Sequence, residues 1–332
     1  MRSLILAFIN AVVVASARTK RIKAVALFGD SFTDQSRSHA IGNGTWPGKD
    51  YQQVYPPADH AATGGFQWPY YLGIYGNYSI HNYAVGGSVC SNEITPVTTV
   101  PADISGGQKK WFVEDHVVNG KLQLDPEEFV TVIWGGTNDV GIHSFISNDQ
   151  RDDVSIADVT DCQLNFIRSM HDIGARRFIV MSMIPLQLTR LYANTDEGTI
   201  YWPDMQGRNG SAWHKAAYNY PNTVNRFLKD GVERLNREFH GSGRVEYFNT
   251  YSLFEEFYNH PTKYYNGSIP ANVTGHCHQC PNPFDWHFCD IGDCTLDQRD
   301  SFMWWDELHP SEQTGRNIAA EIKKKIDGKS KY

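Results

Sequence analysis

The chain has no surplus of basic residues: 30 Lys and Arg stand against 37 Asp and Glu, a formal charge of -7. Nucleic-acid binding leaves a basic patch or stripe, so that class of function is set aside. There is no internal repeat, low-complexity linker or appended module, which leaves one domain after the N-terminus. Beyond the first residues no apolar run is long enough to cross a bilayer as a helix. Charged residues make up only 20% of the chain against 41% for AVILMFWYC, a balance that excludes disorder and supplies a sizeable core. Cysteine is sparse too. Four of the six, Cys277, Cys280, Cys289 and Cys294, sit in "CHQCPNPFDWHFCDIGDC", with Cys90 and Cys162 far upstream.

What the N-terminus does contain is "MRSLILAFINAVVVASARTKR": a positive start at Arg2, an apolar run from Leu4 to Val14, and the small-residue site Ala15-Ser16-Ala17. The run is too short for a membrane span, and the pattern predicts a secretory signal peptide over residues 1–17, with the mature chain opening near Arg18. The dibasic pair Lys20-Arg21 is read as a solvated charge pair. Five sequons, at Asn43, Asn77, Asn209, Asn266 and Asn272, become candidate glycosylation sites in a secreted chain. The cysteine spacing with His276, His278 and His287 nearby resembles a zinc site, but an oxidising compartment favours disulfides among the six. The sequence leaves their pairing open.

Apolar runs of strand length alternate with helical patterns. Candidate strands are Ile22–Phe28, Ser79–Ala84, Phe129–Trp134, Arg177–Met183 and Val245–Asn249. Runs such as "FVTVIW" are hydrophobic at nearly every position, as strands covered on both faces by helices are, which predicts a parallel sheet. From Asn222 to Phe239, Val224, Phe227 or Leu228, Val232, Leu235 and Phe239 share a helical face. Ile318, Ile322 and Ile326 do the same behind Pro310, which suits an early helical position. The expectation is a three-layer α/β/α sandwich over residues 18–332, interrupted by irregular insertions near 185–211 and 259–301.

"KAVALFGDSFTDQS" sets Ser31 against the end of the first strand, where ligands bind in parallel sheets. Turn chemistry alone explains Gly-Asp-Ser, and a serine hydroxyl is a poor nucleophile without a base. "FMWWDELHPSEQTGR" supplies the candidates: Asp306 and His309 are three residues apart, a spacing that lets a carboxylate fix an imidazole tautomer. Acyl transfer also needs donors where a negative oxygen develops. "VIWGGTNDVG" offers the Asn138 amide, and "NYAVGGS" the backbone N–H of Gly86 or Gly87. Asp30, Asp34 and Asp139 are read as hydrogen-bond partners for loop backbone. Trp202, Trp304 and Trp305 lie in or beside site-forming segments and are candidates to stack on sugar rings, although core packing is the preferred reading for each singly.

The order "FGDSFTD", "NYAVGGS", "GGTND", "DELHP" resembles the SGNH or GDSL hydrolase superfamily, from Phe28 to the terminal helix. The resemblance implies a flavodoxin-like α/β/α sandwich with a five-stranded parallel sheet, without the G-x-S-x-G elbow of α/β-hydrolases. It implies Ser31 as nucleophile and, through its own N–H, oxyanion donor. Gly87, in preference to Gly86, would add a backbone N–H and Asn138 a side-chain amide. His309 would be general base and acid and Asp306 its orienting carboxylate, with no metal or organic cofactor. The texture around these motifs is similar to fungal secreted acetylesterases that deacetylate hemicellulose oligosaccharides, which implies a monomeric, extracellular enzyme acting on acetylated sugars, with no nucleic-acid or membrane partner. The competing readings are a lipase or lysophospholipase of the same superfamily, a non-catalytic carbohydrate-binding protein, and acyl transfer to another sugar hydroxyl. Insertions rich in Tyr, Trp, Asn, Asp and His favour sugar over lipid.

Overall fold

The computed structural model describes residues 20–35, 37–42, 61–97, 102–195, 197, 199–203, 206–278, 294–295 and 297–332. The expected signal peptide, the sequon at Asn43, Cys280, Cys289 and His287 lie outside them.

Five strands form one parallel sheet: β1 (Ala24–Gly29), β2 (Ser79–Asn82), β3 (Phe129–Trp134), β4 (Arg177–Met181) and β5 (Arg244–Phe248), in the order β2-β1-β3-β4-β5. Each strand lies within two residues of its expected bounds. β1 and β3 are buried at every position, which is why they read as continuous apolar runs. Alternate residues of a strand face opposite layers. Phe28 meets Phe112 and Phe166, whereas Trp134, one step out of phase in the β1–β3 register, meets Trp68 and Phe254. One layer therefore holds α2 (Lys109–His116), α3 (Ile156–Asp172) and α4 (Gly210–Glu238). The other holds α1 (Trp68–Gly76), α5 (Thr250–Asn259) and α6 (Glu312–Ile326). The expected sandwich is the observed one. Phe28 lies wholly inside it, and Phe28→Ala would cost about 3–5 kcal/mol in lost burial and cavity formation.

Two helix starts need correction, and one open alternative is decided. The helix expected from Asn222 starts at Gly210 and runs through Pro221, capped by Asn209 Oδ1, which accepts from Ala212 N–H. On its buried face Leu228, not Phe227, is the core residue; Phe227 is exposed. The last helix begins at Glu312 with Ser311 as its cap, and Pro310 instead pairs across to Trp304.

The segment 185–211 is built from two short turns, Leu186–Leu188 and Arg190–Tyr192, and a bridge between Thr199 and Trp202, before α4 takes over. In the second irregular segment, Asn272–His276 pairs in parallel with Phe302–Trp304. Cys90 is bonded to Cys162 and Cys277 to Cys294, and the described residues contain no free cysteine and no cluster suited to a metal ion. Of the sequon asparagines, Asn77, Asn209 and Asn266 are exposed. Asn272 is half-buried, and its side chain accepts from Thr274 and Gly275 N–H.

Candidate active site

In the order β2-β1-β3 the chain leaves β1 toward one edge and returns on its other side, so the loops after β1 and β3 part at the carboxyl edge. Such a switch point opens a crevice. Gly29 closes β1 under the crevice: a Cβ there would stand 2.3 Å from the Trp134 carbonyl, so only glycine permits this approach. Gln108 clamps the same residue from both sides, accepting from its N–H at 3.0 Å and donating to its carbonyl at 2.7 Å. Asp30 then folds the chain into one tight turn. Its carboxylate accepts from Phe32 N–H, and its carbonyl accepts from Thr33 and Asp34 N–H. Ser31 is left at the rim.

The loop after β2 treats the two glycines differently. Asp34 Oδ2 accepts from Gly86 N–H at 2.8 Å and from Ser38 N–H at 2.9 Å, so the Gly86 donor is already used. Gly87 has φ +78°, and among the described residues neither its N–H nor that of Ser31 has a protein acceptor. After β3, Gly136 (φ +112°) turns the chain into the short helix Thr137–Val140. Asn138 sits on it and donates through Nδ2 to the Ser88 carbonyl at 2.8 Å, which aims the amide at the Gly87 loop and leaves its second hydrogen for the crevice. Asp139 holds Cys90 N–H with both oxygens, and Cys90 in turn is bonded to Cys162 of α3.

The turn before α6 completes the group. Asp306 Oδ1 accepts from Leu308 and His309 N–H at 2.8 and 2.7 Å, curling the turn so that His309 Nδ1 lies 2.9 Å from Oδ2. His309 Nε2 is 2.8 Å from Ser31 Oγ. With the proton on Nδ1, the ring donates to Asp306 and accepts from the Ser31 hydroxyl. Residues 278 positions apart thus form one continuous line of hydrogen bonds.

Electrostatics sort the carboxylates. Burial pushes Asp306 upward, but the charge of His309 and hydrogen bonds from its ring, its own N–H and that of Leu308 outweigh this and hold the carboxyl below its ordinary range. At Asp30, Asp139 and Glu307 burial outweighs the hydrogen bonds from backbone N–H and any nearby cation, and pushes each up to about 7. Asp30, Asp34 and Asp139 serve loop backbone, as the sequence reading has it.

These groups open on a cavity of about 480 Å³ that reaches from Ser31, Gly87, Asn138 and His309 to an apolar wall of Val97, Ile142, Ile200 and Leu308. None of the three tryptophans lines it. Trp304 is buried against Phe254 with its Nε1–H on the Val273 carbonyl, so it is a core residue and not a sugar platform. Trp305 stacks on His278, and Trp202 stands behind His143, which does line the cavity. The cavity's aromatic residues are Tyr192 and Tyr201, which sequence reasoning did not single out. Their only signal is membership of the aromatic-rich insertion.

The chain is 28% identical over 325 residues to an acetylesterase of Hypocrea jecorina, covering 93% of this chain and 90% of that one. A GDSL esterase/lipase of Arabidopsis thaliana is 23% identical over 212 residues, which is 63% of this chain and 56% of the plant protein. Among solved structures, an acetylxylan esterase of Geobacillus stearothermophilus superposes with a TM-score of 0.46 at 12% identity, over 94% of this chain and 97% of that one. The GDSL-like Lipase/Acylhydrolase family matches residues 25–322, from the first core strand into the last helix, and the chain belongs to it as a carboxylic ester hydrolase of GDSL type.

Proposed function

We propose that this protein is a secreted serine esterase that removes acetyl groups from carbohydrates through an acyl-enzyme on Ser31. The observation that carries the reading is the unbroken line from Ser31 Oγ through both nitrogens of His309 to Asp306, opening on the cavity. Ser31 attacks the ester carbonyl as His309 Nε2 takes its proton, and Asp306 stabilises the resulting imidazolium. The oxyanion forms among the N–H groups of Ser31 and Gly87 and the amide of Asn138, donors already oriented before reaction. His309 then protonates the departing alcohol, and water, deprotonated by the same ring, releases the acid and restores Ser31.

The acetyl and carbohydrate assignments rest on likeness to the acetylesterase over nearly the whole chain. Secretion rests on the N-terminal pattern, the two disulfides and exposed sequon asparagines; no helix among the described residues is long and apolar enough to cross a membrane. The apolar cavity wall is the observation behind a second reading, hydrolysis of longer acyl esters. Acid release is measured for wild type and Ser31→Ala on acetylated xylo-oligosaccharide and on short- and long-chain p-nitrophenyl esters. Preference for acetyl substrates with loss in the variant is expected. Preference for long chains transfers the reading to lipid esters, and full activity of Ser31→Ala refutes the nucleophile.

A further inference from the structure

One polar group of the site has no part in the chemistry above. Residues 199–202 close on themselves, with Trp202 N–H donating to the Thr199 carbonyl at 3.1 Å. Glu307, between Asp306 and His309, pins this segment to the turn before α6: its Oε2 accepts from Ile200 N–H at 2.7 Å, and its carbonyl accepts from Leu191 N–H at 2.8 Å. The pinned segment sets the Tyr201 hydroxyl 2.8 Å from Asp306 Oδ2 and 3.0 Å from His309 Nδ1. Burial, then the nearby charge of Asp306, raises the phenol well above its ordinary pKa, so it stays a proton donor at working pH. It donates to Asp306 Oδ2. His309 Nδ1–H is then shared between the carboxylate and the phenol oxygen, while the edge-on ring of Phe32, its centroid 5.6 Å away, also packs against the imidazole.

We propose that Tyr201 is a positioning residue for the acid–base pair: its hydroxyl disperses the charge of Asp306 and holds His309 in the rotamer and tautomer that face Ser31. The insertion carrying Tyr201 is thereby part of the base's support. The inference rests on the reading of Ser31, His309 and Asp306 as the reacting group. His309 faces Asp306 and Tyr201 at Nδ1 and Ser31 at Nε2. The Asp30 carboxyl acts on it from the β1 loop, and Glu307 lies behind Asp306 with Arg190 toward it.

The sign of the effect follows from these charges. Without the hydroxyl, the charge on Asp306 is less dispersed and His309 holds its proton more tightly. The acid limb of kcat/KM, which reports the free base, moves to higher pH. For Tyr201→Phe, which keeps the ring, kcat is expected to fall about 5- to 20-fold with KM within about twofold, and the acid limb to rise by about half a pH unit. A role in loop packing alone would move KM or the unfolding midpoint and leave the limb in place. Unchanged kcat and an unmoved limb overturn the proposal. A second readout needs no variant: in the wild-type enzyme the His309 Nδ1 proton should show a through-space NMR contact to a slowly exchanging tyrosine hydroxyl proton, and its absence overturns the proposal too. Ser31→Ala, assayed alongside, separates the failures: full activity there refutes the nucleophile reading, while the NMR contact still tests Tyr201.

Discussion

Each end of the central sheet carries a cavity, and the larger is at the wrong end for chemistry. At the amino edge a cavity of about 730 Å³ is lined by Lys20, Arg21, Arg176, Arg177, Arg244 and Lys323, faced by Glu127 and Asp327. At the carboxyl edge the smaller one, about 480 Å³, has Ser31 and His309 in hydrogen-bond contact at its rim. Cations at the amino edge are neighbours by strand register, as Arg177 is to Arg244, and are answered by surface carboxylates or helix-end carbonyls. Ser242 Oγ there lies 3.0 Å from His171 Nε2 but donates to the Phe239 carbonyl, and among the described residues no carboxylate is hydrogen-bonded to that imidazole to orient it. At the carboxyl edge four loops from distant parts of the chain converge, and each is fixed by buried hydrogen bonds from Gln108, Asp34, Asp139 or Asp306. Convergence of anchored loops, not volume, distinguishes the carboxyl edge.

The contrast breaks most sharply at Ser31. Ser31→Ala should lower kcat by about 10⁴-fold or more, since the remaining groups have no nucleophile to activate, and a steady-state ester assay reads it. Asp306→Asn should cost about 10³- to 10⁴-fold, because an amide favours the wrong tautomer of His309; a pH–rate profile separates this from unfolding. Asn138→Ala removes one of three oxyanion donors and should cost about 10²-fold in kcat with little change in KM. At the other end, Arg177→Ala with Arg244→Ala should leave kcat within about twofold, and a larger loss would mean the two edges are coupled.

The buried carboxyls of the carboxyl edge also make stability depend on pH. Asp30 and Asp139 titrate near 7 when folded and near the ordinary 3.8 when unfolded, so between those values the folded chain binds more protons. Stability from these two groups therefore falls as pH rises through that window, on the order of 1 kcal/mol per pH unit for each. Asp306, held below its ordinary value, acts in the opposite sense: its contribution is present above about pH 4 and is lost as pH falls through the folded-state value. Asp139→Asn keeps an acceptor for Cys90 N–H and should make the slope of unfolding midpoint against pH shallower; an unchanged slope would contradict the burial account.

That Ser31, Asn138, Asp306 and His309 come together at one cavity was legible because each sits in a short motif at a strand end or before a helix. The five strands were legible because burial on both faces writes a continuous apolar run. The choice of Gly87 over Gly86 was legible only as a preference from the resemblance. What separates them, the Asp34 carboxylate on Gly86 N–H, is a contact across 52 residues. Tyr201 was invisible for the same reason, meeting Asp306 across 105 residues through a segment with no periodic pattern. Trp304 was a candidate sugar contact only by its proximity to His309 in sequence, which says nothing of direction: its strand pairs with Asn272–His276 and turns the indole into the core, the reading preferred for each tryptophan singly.

The central claim is that His309 and Asp306 make Ser31 the nucleophile. The most direct measurement is mass mapping of the enzyme after treatment with a fluorophosphonate ester, which phosphonylates an activated serine with loss of fluoride. One adduct per chain is expected, on the peptide containing Ser31, absent in Ser31→Ala and strongly slowed in Asp306→Asn. An adduct on another residue, or none in an enzyme that hydrolyses esters, would contradict it.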